Sequence, residues 1–160
     1  MTDVFDKRTR ARIMRAVRTA ETEPEELLAV ALRAAGLRFR RNDKAVFGVP
    51  DFVFRKTKLA VFVDGDFWHG RAWFKSGAAP ATNSAFWISK FERNRRRDRL
   101  VNRELKRTGW TVLRLWASEV RKNSALSAAR VLTRLQRTPT RTKGLTSRSP
   151  LGQRLKSAAR

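Results

Sequence analysis

The run of five apolar residues LAVFV, residues 59–63, restricts the possible folds more than any other segment of the sequence. It is far shorter than the roughly 20 apolar residues that a membrane span needs. A short continuous run of this kind is typical of a strand that is covered on both faces. We therefore predict a central strand at Leu59–Asp64, in a sheet that has helices on both sides.

The segment before the central strand predicts its antiparallel neighbour. Residues 51–55 read DFVFR, and Lys56–Lys58 form the turn between the two strands. A helix should begin after Thr22 and end at Gly36. The remaining predicted elements are a strand at Leu37–Arg41, a long basic helix at Ser84–Arg107, a strand at Thr111–Trp116 and a closing helix at Ser124–Leu135. This αβββαβα order predicts an α/β fold with a mixed sheet between helices.

The length of 160 residues predicts one folded domain, which we place at residues 21–135. Residues 6–19 are basic with only a thin apolar stripe, so residues 1–20 are interpreted as an N-terminal DNA-binding arm. Residues 136–160 are rich in Thr, Ser and Arg, which predicts a disordered basic tail. The N-terminus lacks the apolar core of a signal peptide and no segment could span a membrane, so we expect a soluble, intracellular protein.

Positive charge is the strongest feature of the composition. The chain has 37 Lys and Arg against 14 Asp and Glu, which gives a net charge of +23. Seven of the basic residues lie in residues 136–160, so the rest of the chain still carries +16. This excess predicts a polyanionic partner, usually nucleic acid, bound by the folded domain. Charge alone fits a structural nucleic-acid binder or a solubility device equally well.

Two acidic residues lie at corresponding ends of the predicted hairpin. Asp51 begins its first strand and Asp64 ends its second, so both carboxylates should lie at the same end of the sheet, close together. Mg²⁺ commonly uses one or two carboxylates together with water and phosphate oxygens. Such an ion would activate water for phosphodiester hydrolysis. The structural alternative is that Asp51 is a turn residue after Pro50 and Asp64 caps a strand.

The segment GDFWHG ends in the only histidine of the sequence, His69, and a glycine. An imidazole titrates near neutral pH, so His69 could take a proton from attacking water or pass one to the leaving group. A structural role is the alternative for a single histidine. Phe67 and Trp68 either fill the core or insert between base pairs, at a cost that is lowest at a mismatch.

Taken in order, several motifs resemble the very short patch repair (Vsr-type) endonucleases of the PD-(D/E)XK superfamily. The resemblance runs from about residue 3 to about residue 135, through DKRTRARIMRAV, GVPDFVF, VFVDGDFWHG, PATNSAFWISKFERNRRRDR and GWTVLRLW. It implies a restriction-endonuclease-like three-layer fold, with a central mixed β-sheet flanked by helices. It also implies a Mg²⁺-dependent enzyme that nicks DNA beside the thymine of a T·G mismatch.

The resemblance assigns catalytic roles to particular residues. Asp51 matches the metal-binding aspartate of the family, and the backbone carbonyl of Val63 matches a second ligand. His69 matches the acid–base histidine. Asp64 stands where some members have histidine, and in this chain it could bind the metal directly. Glu25 matches a glutamate near the site, a role that competes with its capping-box position in the first predicted helix.

The same resemblance predicts residues that contact DNA. Phe67 and Trp68 match aromatic residues inserted beside the mismatch from the major groove, and Trp87 matches a third member of that platform. Met14 matches a residue of the arm that enters from the minor groove. The arginines of FERNRRRDR surround their helix, so only a subset can face DNA, and a solvated face is the alternative. The residues predicted to hold phosphates are Lys90, Arg93, Asn94 and Arg97.

A structural zinc, held in family members by cysteines and a histidine, has no equivalent ligands here, because the sequence contains no cysteine. The corresponding positions are Asp66, Arg71, Trp73 and Ser118, none of which is a thiolate ligand. We therefore predict no structural zinc, with packing through Trp73 in its place. Asp66 is a candidate for an additional acidic group at the metal.

The predicted function is thus that of a DNA endonuclease acting on mismatched double-stranded DNA. Two alternatives stay open, namely a related PD-(D/E)XK nuclease with another DNA target and a catalytically silent DNA-binding module. The acidic residues favour an enzyme, because a pure binder gains nothing from carboxylates that face phosphate. We expect a monomer, since a mismatch is an asymmetric target. The resemblance implies mismatch-repair proteins as partners and a bacterial, cytoplasmic and nucleoid-associated location.

Overall fold

The computed structural model describes residues 22–137. The predicted arm at residues 1–20, including Met14, and the chain beyond residue 137 lie outside this range. The elements in chain order are α1 Glu23–Ala34, β1 Arg40–Arg41, β2 Phe52–Phe54, β3 Leu59–Asp64, α2 Arg71–Ser76, α3 Ser84–Arg107, β4 Thr111–Trp116, α4 Ala117–Lys122 and α5 Ser124–Arg137.

The four strands form one mixed sheet in the order β1-β2-β3-β4. Strands β2 and β3 are the predicted hairpin, in which Phe52 lies opposite Val61 and Phe54 opposite Leu59. Strand β4 is parallel to β3, with Asp64 in register with Trp116, and such a parallel pair needs a long crossover, which α3 supplies. The central position predicted for β3 is confirmed, because it is paired on both sides.

Alternate side chains of β3 enter two separate layers of the core. Leu59 and Val61 pack with α1, α4 and α5, through residues that include Leu28, Leu32, Val120 and Val131. Ala60 and Phe62 face the opposite side and pack with Val101 and Leu105 of α3. This alternation explains why the whole run is apolar, and it confirms the predicted three-layer α/β fold.

The first helix begins directly after the predicted N-cap residue, Thr22, but the Thr22 side chain does not bond to the backbone as an N-cap usually does. The Thr22 hydroxyl donates to Oε1 of Glu25 at 2.7 Å, and it makes no cap bond to the backbone. The helix ends in a turn where Gly36 has φ +72°. There the N–H of Leu37 donates to the Leu32 carbonyl at 3.0 Å, a Schellman-type ending.

Several elements differ from the sequence prediction. Strand β2 covers only Phe52–Phe54 of the predicted residues 51–55. The strand predicted at Leu37–Arg41 is reduced to Arg40–Arg41, because Leu37 still belongs to the C-terminal cap of α1. The segment 65–80, predicted to be irregular, contains the short helix α2. A further short helix, α4, directly follows β4, and the closing helix extends to Arg137. No helix within residues 22–137 is long and apolar enough to cross a membrane.

Candidate active site

Asp51 directly precedes β2, and its carboxylate faces the end of the central strand. Oδ2 accepts a hydrogen bond from the backbone N–H of Val63 at 2.7 Å. The backbone carbonyl of Asp51 accepts a bond from the N–H of Asn42 at 3.3 Å. The hairpin therefore brings Asp51 to the end of β3, as the sequence predicted.

Asp51 has the most strongly perturbed acidity among the site residues of segment 22–137. Burial raises the pKa of its carboxyl from the usual 3.8 to about 7. The negative charges of Glu25 and Asp64 act in the same direction, whereas the bond from Val63 opposes them. Three carboxylates thus lie close enough to repel one another, and a nearby cation relieves such repulsion.

Asp64 is the last residue of β3, and it is buried. Its Oδ1 accepts a hydrogen bond from Nη1 of Arg114 at 2.6 Å. Arg114 lies on β4, two residues before Trp116, the register partner of Asp64. Both side chains therefore emerge on the same face of the sheet. Asp64 is held as an ion-paired carboxylate beside Asp51.

His69 lies on the loop that follows β3 and is bonded to Asp98 of α3. Nδ1 of His69 is 2.7 Å from Oδ2 of Asp98, and Nε2 is 3.7 Å from Oδ1 of Asp64. Burial acts to raise the pKa of Asp98, but the His69 bond and the charge of Arg114 outweigh it and lower the pKa. An ionised Asp98 accepts a hydrogen bond from Nδ1–H, which leaves the lone pair of the neutral imidazole on Nε2.

The loop around His69 is fixed against α3 by its neighbours on both sides. The Asn94 side-chain amide donates to the Trp68 carbonyl at 2.7 Å. Gly70 has φ +61°, and a Cβ at this position would lie 2.7 Å from the ring of Phe91. Only glycine allows this close approach in a left-handed conformation. The sequence Trp68-His69-Gly70 is thereby held in one geometry.

Glu25 lies on α1 and is only 3% exposed. Its Oε2 lies 3.6 Å from Nη2 of Arg41, and its charge contributes to the raised pKa of Asp51. Glu25 therefore lies near Asp51 and is also bonded to Thr22 at the start of α1.

A cleft of about 580 Å³ opens beside His69 and Asp64. The carboxylate of Asp98 also borders it. The basic residues that line the cleft are Arg71, Lys75, Arg95, Arg99 and Arg114. Positive side chains around a carboxylate–imidazole pair suit a ligand that carries phosphate.

The Asp51 carboxylate lies beside the backbone of Val63 and fits a metal ion, whereas the Val63 carbonyl as a second ligand stays a prediction. Within residues 22–137, no three side chains of His, Cys, Asp or Glu are grouped to hold an ion. A site of one or two carboxylates completed by carbonyl, water and phosphate oxygens is, however, common for Mg²⁺. The raised pKa of Asp51 fits a carboxylate whose ionised form needs a cation. Direct metal binding by Asp64 stays a prediction, since Arg114 already occupies its Oδ1.

An aromatic cluster covers the loop beside His69. Phe67 makes edge contacts with Trp68, Trp87 and Phe91, at centroid distances of 5.4, 4.7 and 5.8 Å. Phe67 is nevertheless 47% exposed. The structure thus brings together the three predicted platform residues Phe67, Trp68 and Trp87, with one ring presented to solvent.

The four predicted phosphate-binding residues on α3 have different environments. The ammonium of Lys90 lies 5.1 Å from the ring centre of Trp68 and 5.2 Å from that of Trp87. Asn94 is engaged by the Trp68 carbonyl, which gives it a role in holding the loop. Arg93 and Arg97 are exposed. Phosphate binding by all four residues stays a prediction.

Asp66, Arg71 and Ser118, three of the four positions that the resemblance matched to zinc ligands, form a hydrogen-bonded network. Nη1 of Arg71 donates to Oδ1 of Asp66 at 2.8 Å and to Oγ of Ser118 at 2.6 Å. The Ser118 N–H donates to Oδ2 of Asp66 at 2.8 Å, and Nη2 of Arg71 donates to Glu119 at 2.8 Å. Asp66 is therefore engaged here and does not join the acidic residues at Asp51. Polar bonds connect these three positions, and packing through Trp73 stays a prediction.

Two residues of the site, Asp98 and Arg114, were not singled out from the sequence. Asp98 is the only acid among the arginines of RNRRRDR, and Arg114 is the only charged residue of the strand TVLRLW. Each differs in charge or polarity from all of its sequence neighbours, and this difference could have identified both residues.

The fold and the site together define a nuclease of restriction-endonuclease-like architecture. The chain is 38% identical over 136 residues to the DNA mismatch endonuclease Vsr of Escherichia coli strain K12, covering 85% of this chain and 86% of that protein. A family model described as DNA mismatch endonuclease Vsr matches residues 2–75. The chain belongs to the Vsr family of DNA endonucleases.

Other relatives have names that describe nicking. The chain is 48% identical over 122 residues to the type II nicking enzyme V.NmeDIP of Neisseria meningitidis serogroup C, covering 76% of this chain and 82% of that protein. It is 48% identical over 102 residues to the type II nicking enzyme V.HpaIIP of Haemophilus parainfluenzae, covering 64% and 72%. The protein is thus a DNA nicking endonuclease, and the Vsr-type enzymes are metal-dependent.

Proposed function

We propose that the protein nicks double-stranded DNA beside the thymine of a T·G mismatch, with Mg²⁺ as its cofactor. The observation that carries this proposal is the placement of Asp51 and the His69–Asp98 pair at one end of the sheet, beside a partly exposed aromatic cluster. The name of the Escherichia coli relative, DNA mismatch endonuclease Vsr, supports a mismatch as the target.

Hydrolysis needs a base for the attacking water, and His69 fits this role. Its Nδ1–H donates to Asp98, so Nε2 can accept the proton of the water as the new P–O bond forms and the old one breaks. Asp98 stabilises the imidazolium that results. Mg²⁺, held by Asp51 and the Val63 carbonyl, would supply charge neutralisation and an activated water.

The aromatic cluster supports recognition of a mismatch. Phe67 is exposed and is backed by Trp68 and Trp87, so a ring is available for insertion between base pairs. Unstacking costs a few kcal/mol per base step, and the cost is lowest at a mismatched pair. A rigid aromatic support therefore favours T·G over a paired site.

A related nuclease with a different DNA target is the second candidate. It is favoured by the relatives V.NmeDIP and V.HpaIIP, whose names say nicking enzyme and not mismatch.

We further propose that the protein acts as a monomer, because a mismatch is asymmetric, and that mismatch-repair proteins are its partners.

The test of the target uses three duplexes that differ at one position, with T·G, G·C or A·T, each incubated with the protein and Mg²⁺. We expect one strand-specific nick in the T·G duplex alone. Equal cleavage of all three would support the second candidate, and no cleavage of T·G would overturn the leading proposal.

The test of the metal site uses Asp51→Ala, with Asp43→Ala as its control. Asp43 is bonded to Arg55 at 2.7 Å, away from the site. We expect Asp51→Ala to abolish nicking while the DNA dissociation constant stays within about threefold, because phosphate contacts dominate affinity. The Asp43→Ala protein should nick normally. Persistent nicking by Asp51→Ala would show that the metal is held elsewhere.

A further inference from the structure

Arg114 forms a bridge between two carboxylates that lie on different elements. Nη1 donates to Oδ1 of Asp64 at 2.6 Å, and Nη2 lies 3.3 Å from Oδ1 of Asp98. Its Nε donates to Oδ1 of Asn102 at 3.1 Å. All three guanidinium nitrogens thus have a partner in the site, one from β3 and two from α3.

The sheet and the core fix this guanidinium in one position. Arg114 follows the parallel register of β4 beside β3, and its guanidinium carbon lies 4.5 Å from the ring centre of Phe62. The side chain is only 20% exposed. A planar guanidinium is a rigid fork of donors, so it fixes the relative positions of the groups that it binds.

The opposite oxygen of Asp98 receives His69. Oδ1 faces Arg114, whereas Oδ2 is 2.7 Å from Nδ1 of His69. Asp98 is therefore held from both sides, and its orientation determines which ring nitrogen of His69 meets a carboxylate. If Asp98 rotated away, Asp64 at 3.7 Å from Nε2 would become the competing acceptor. The imidazole would then carry its proton on Nε2, and Nε2 could no longer accept a proton from water.

We infer that Arg114 is a positioning residue for His69. By binding Asp64 and Asp98 together, it keeps Asp64 engaged, holds Asp98 against Nδ1 and so leaves the lone pair of the neutral imidazole on Nε2. This inference rests on the proposed role of His69 as proton carrier, and it assigns to Arg114 no contact with the reacting phosphate.

The first test reads the tautomer of His69 directly. The 160-residue chain contains one histidine, so a ¹⁵N-histidine-labelled sample of it gives a single pair of ring-nitrogen resonances. We expect the neutral imidazole of the wild type to carry its proton on Nδ1. Arg114→Met should give a mixture of tautomers. Arg121→Met, which removes an arginine paired with Glu23 at the surface at 2.8 Å, should match the wild type.

The second test separates positioning from binding in steady-state nicking. Arg114→Met should lower kcat about 10–100-fold, the usual cost of losing a partner that orients a functional group, while KM changes by less than about threefold. Arg114→Lys should recover part of kcat, because an ammonium reaches one carboxylate but cannot bridge two. It also provides a folded variant if Arg114→Met is unstable.

The double variant Arg114→Met/Asp98→Asn checks that Arg114 acts through Asp98. The two losses in kcat should be far from additive, since one group acts through the other. An unchanged tautomer with only a lowered melting temperature would overturn the inference, as would full additivity. The NMR measurement needs neither DNA nor metal, so it tests the role of Arg114 by itself. The DNA target is tested separately, by wild-type nicking of the three duplexes.

Discussion

The raised pKa of Asp51 predicts that its isosteric replacement Asp51→Asn stabilises the metal-free protein. In the unfolded chain the carboxyl loses its proton near pH 3.8, whereas in the folded chain it keeps the proton up to about pH 7. The folded state therefore binds one more proton between these values, and wild-type stability falls as the pH rises through this window. Above about pH 7 the carboxyl is ionised in both states, so the loss of stability has reached its full size.

The size of the effect follows from the two pKa values. Their difference is equivalent to about 4 kcal/mol of unfolding free energy. Asparagine stays neutral and retains an acceptor for the Val63 N–H, which the Asp51 carboxylate binds at 2.7 Å. We expect Asp51→Asn to be more stable than the wild type by about 2–4 kcal/mol at about pH 8. This corresponds to a rise in melting temperature of roughly 8–16 °C.

The assay is urea unfolding of both proteins in EDTA between about pH 4.5 and pH 8, within the window that linkage defines. The difference in unfolding free energy should be small at the lower pH and should grow as the pH rises. Asp66→Asn is a control of opposite sign. Burial opposes it, but bonds from Ser118 and Arg71 lower the pKa of Asp66 below its usual value of 3.8. Its loss should therefore destabilise the fold by a nearly constant amount across this range, because the carboxyl is ionised in both the folded and the unfolded chain.

A difference between Asp51→Asn and the wild type that does not change with pH would refute this reasoning, and so would a less stable variant at pH 8. Adding Mg²⁺ provides a second comparison. At 100 times its dissociation constant a ligand of the native state adds about 2.7 kcal/mol, and we expect this gain for the wild type but not for Asp51→Asn. The variant should not nick DNA.

Three further predictions concern the loop, the polar network and the DNA-binding face. Gly70→Ala should lower the free energy of unfolding by about 2–4 kcal/mol, because the new Cβ would clash with Phe91 and the backbone would be strained in its left-handed conformation. Its control is Gly77→Ala, where φ is +71° but the space is open. This variant should lose only about 1–2 kcal/mol in the same urea unfolding assay. Arg71→Met should lower the melting temperature and increase the rate of proteolysis at the loop, since it removes the hydrogen bonds to Ser118 and Glu119 that tie the loop to α4. Unchanged proteolysis would contradict this. Arg93→Ala should reduce the salt slope of DNA binding by about one, and Arg121→Ala should not.

Much of the sheet could be predicted from the sequence because β3 is apolar on both faces and is followed by clear turn signals. The bounds of β3, α3 and β4 agree with the prediction, since each segment has one consistent periodicity. The first strand was overestimated, because local apolar alternation does not reveal that Leu37 completes the cap of α1. Helix α2 was missed, since it has only six residues and no buried face.

The site could be predicted only as far as the hairpin and the resemblance reach. The proximity of Asp51 and Asp64 follows from pairing within one hairpin, which is a local relation. The Asp98 and Arg114 contacts join residues that are 29 and 50 positions from their partners His69 and Asp64. Such contacts depend on how α3 and β4 pack, which a single sequence does not specify.

The division of charge within the site distinguishes its carboxylates. Asp64 and Asp98 share the cation of Arg114, and Glu25 lies 3.6 Å from Arg41. Asp51 accepts only an uncharged backbone N–H among the hydrogen bonds seen within residues 22–137. It is buried without a bonded cation, which is why burial dominates its pKa. A divalent cation therefore gains most at Asp51, and the other acids are already committed to holding the histidine and the fold around it.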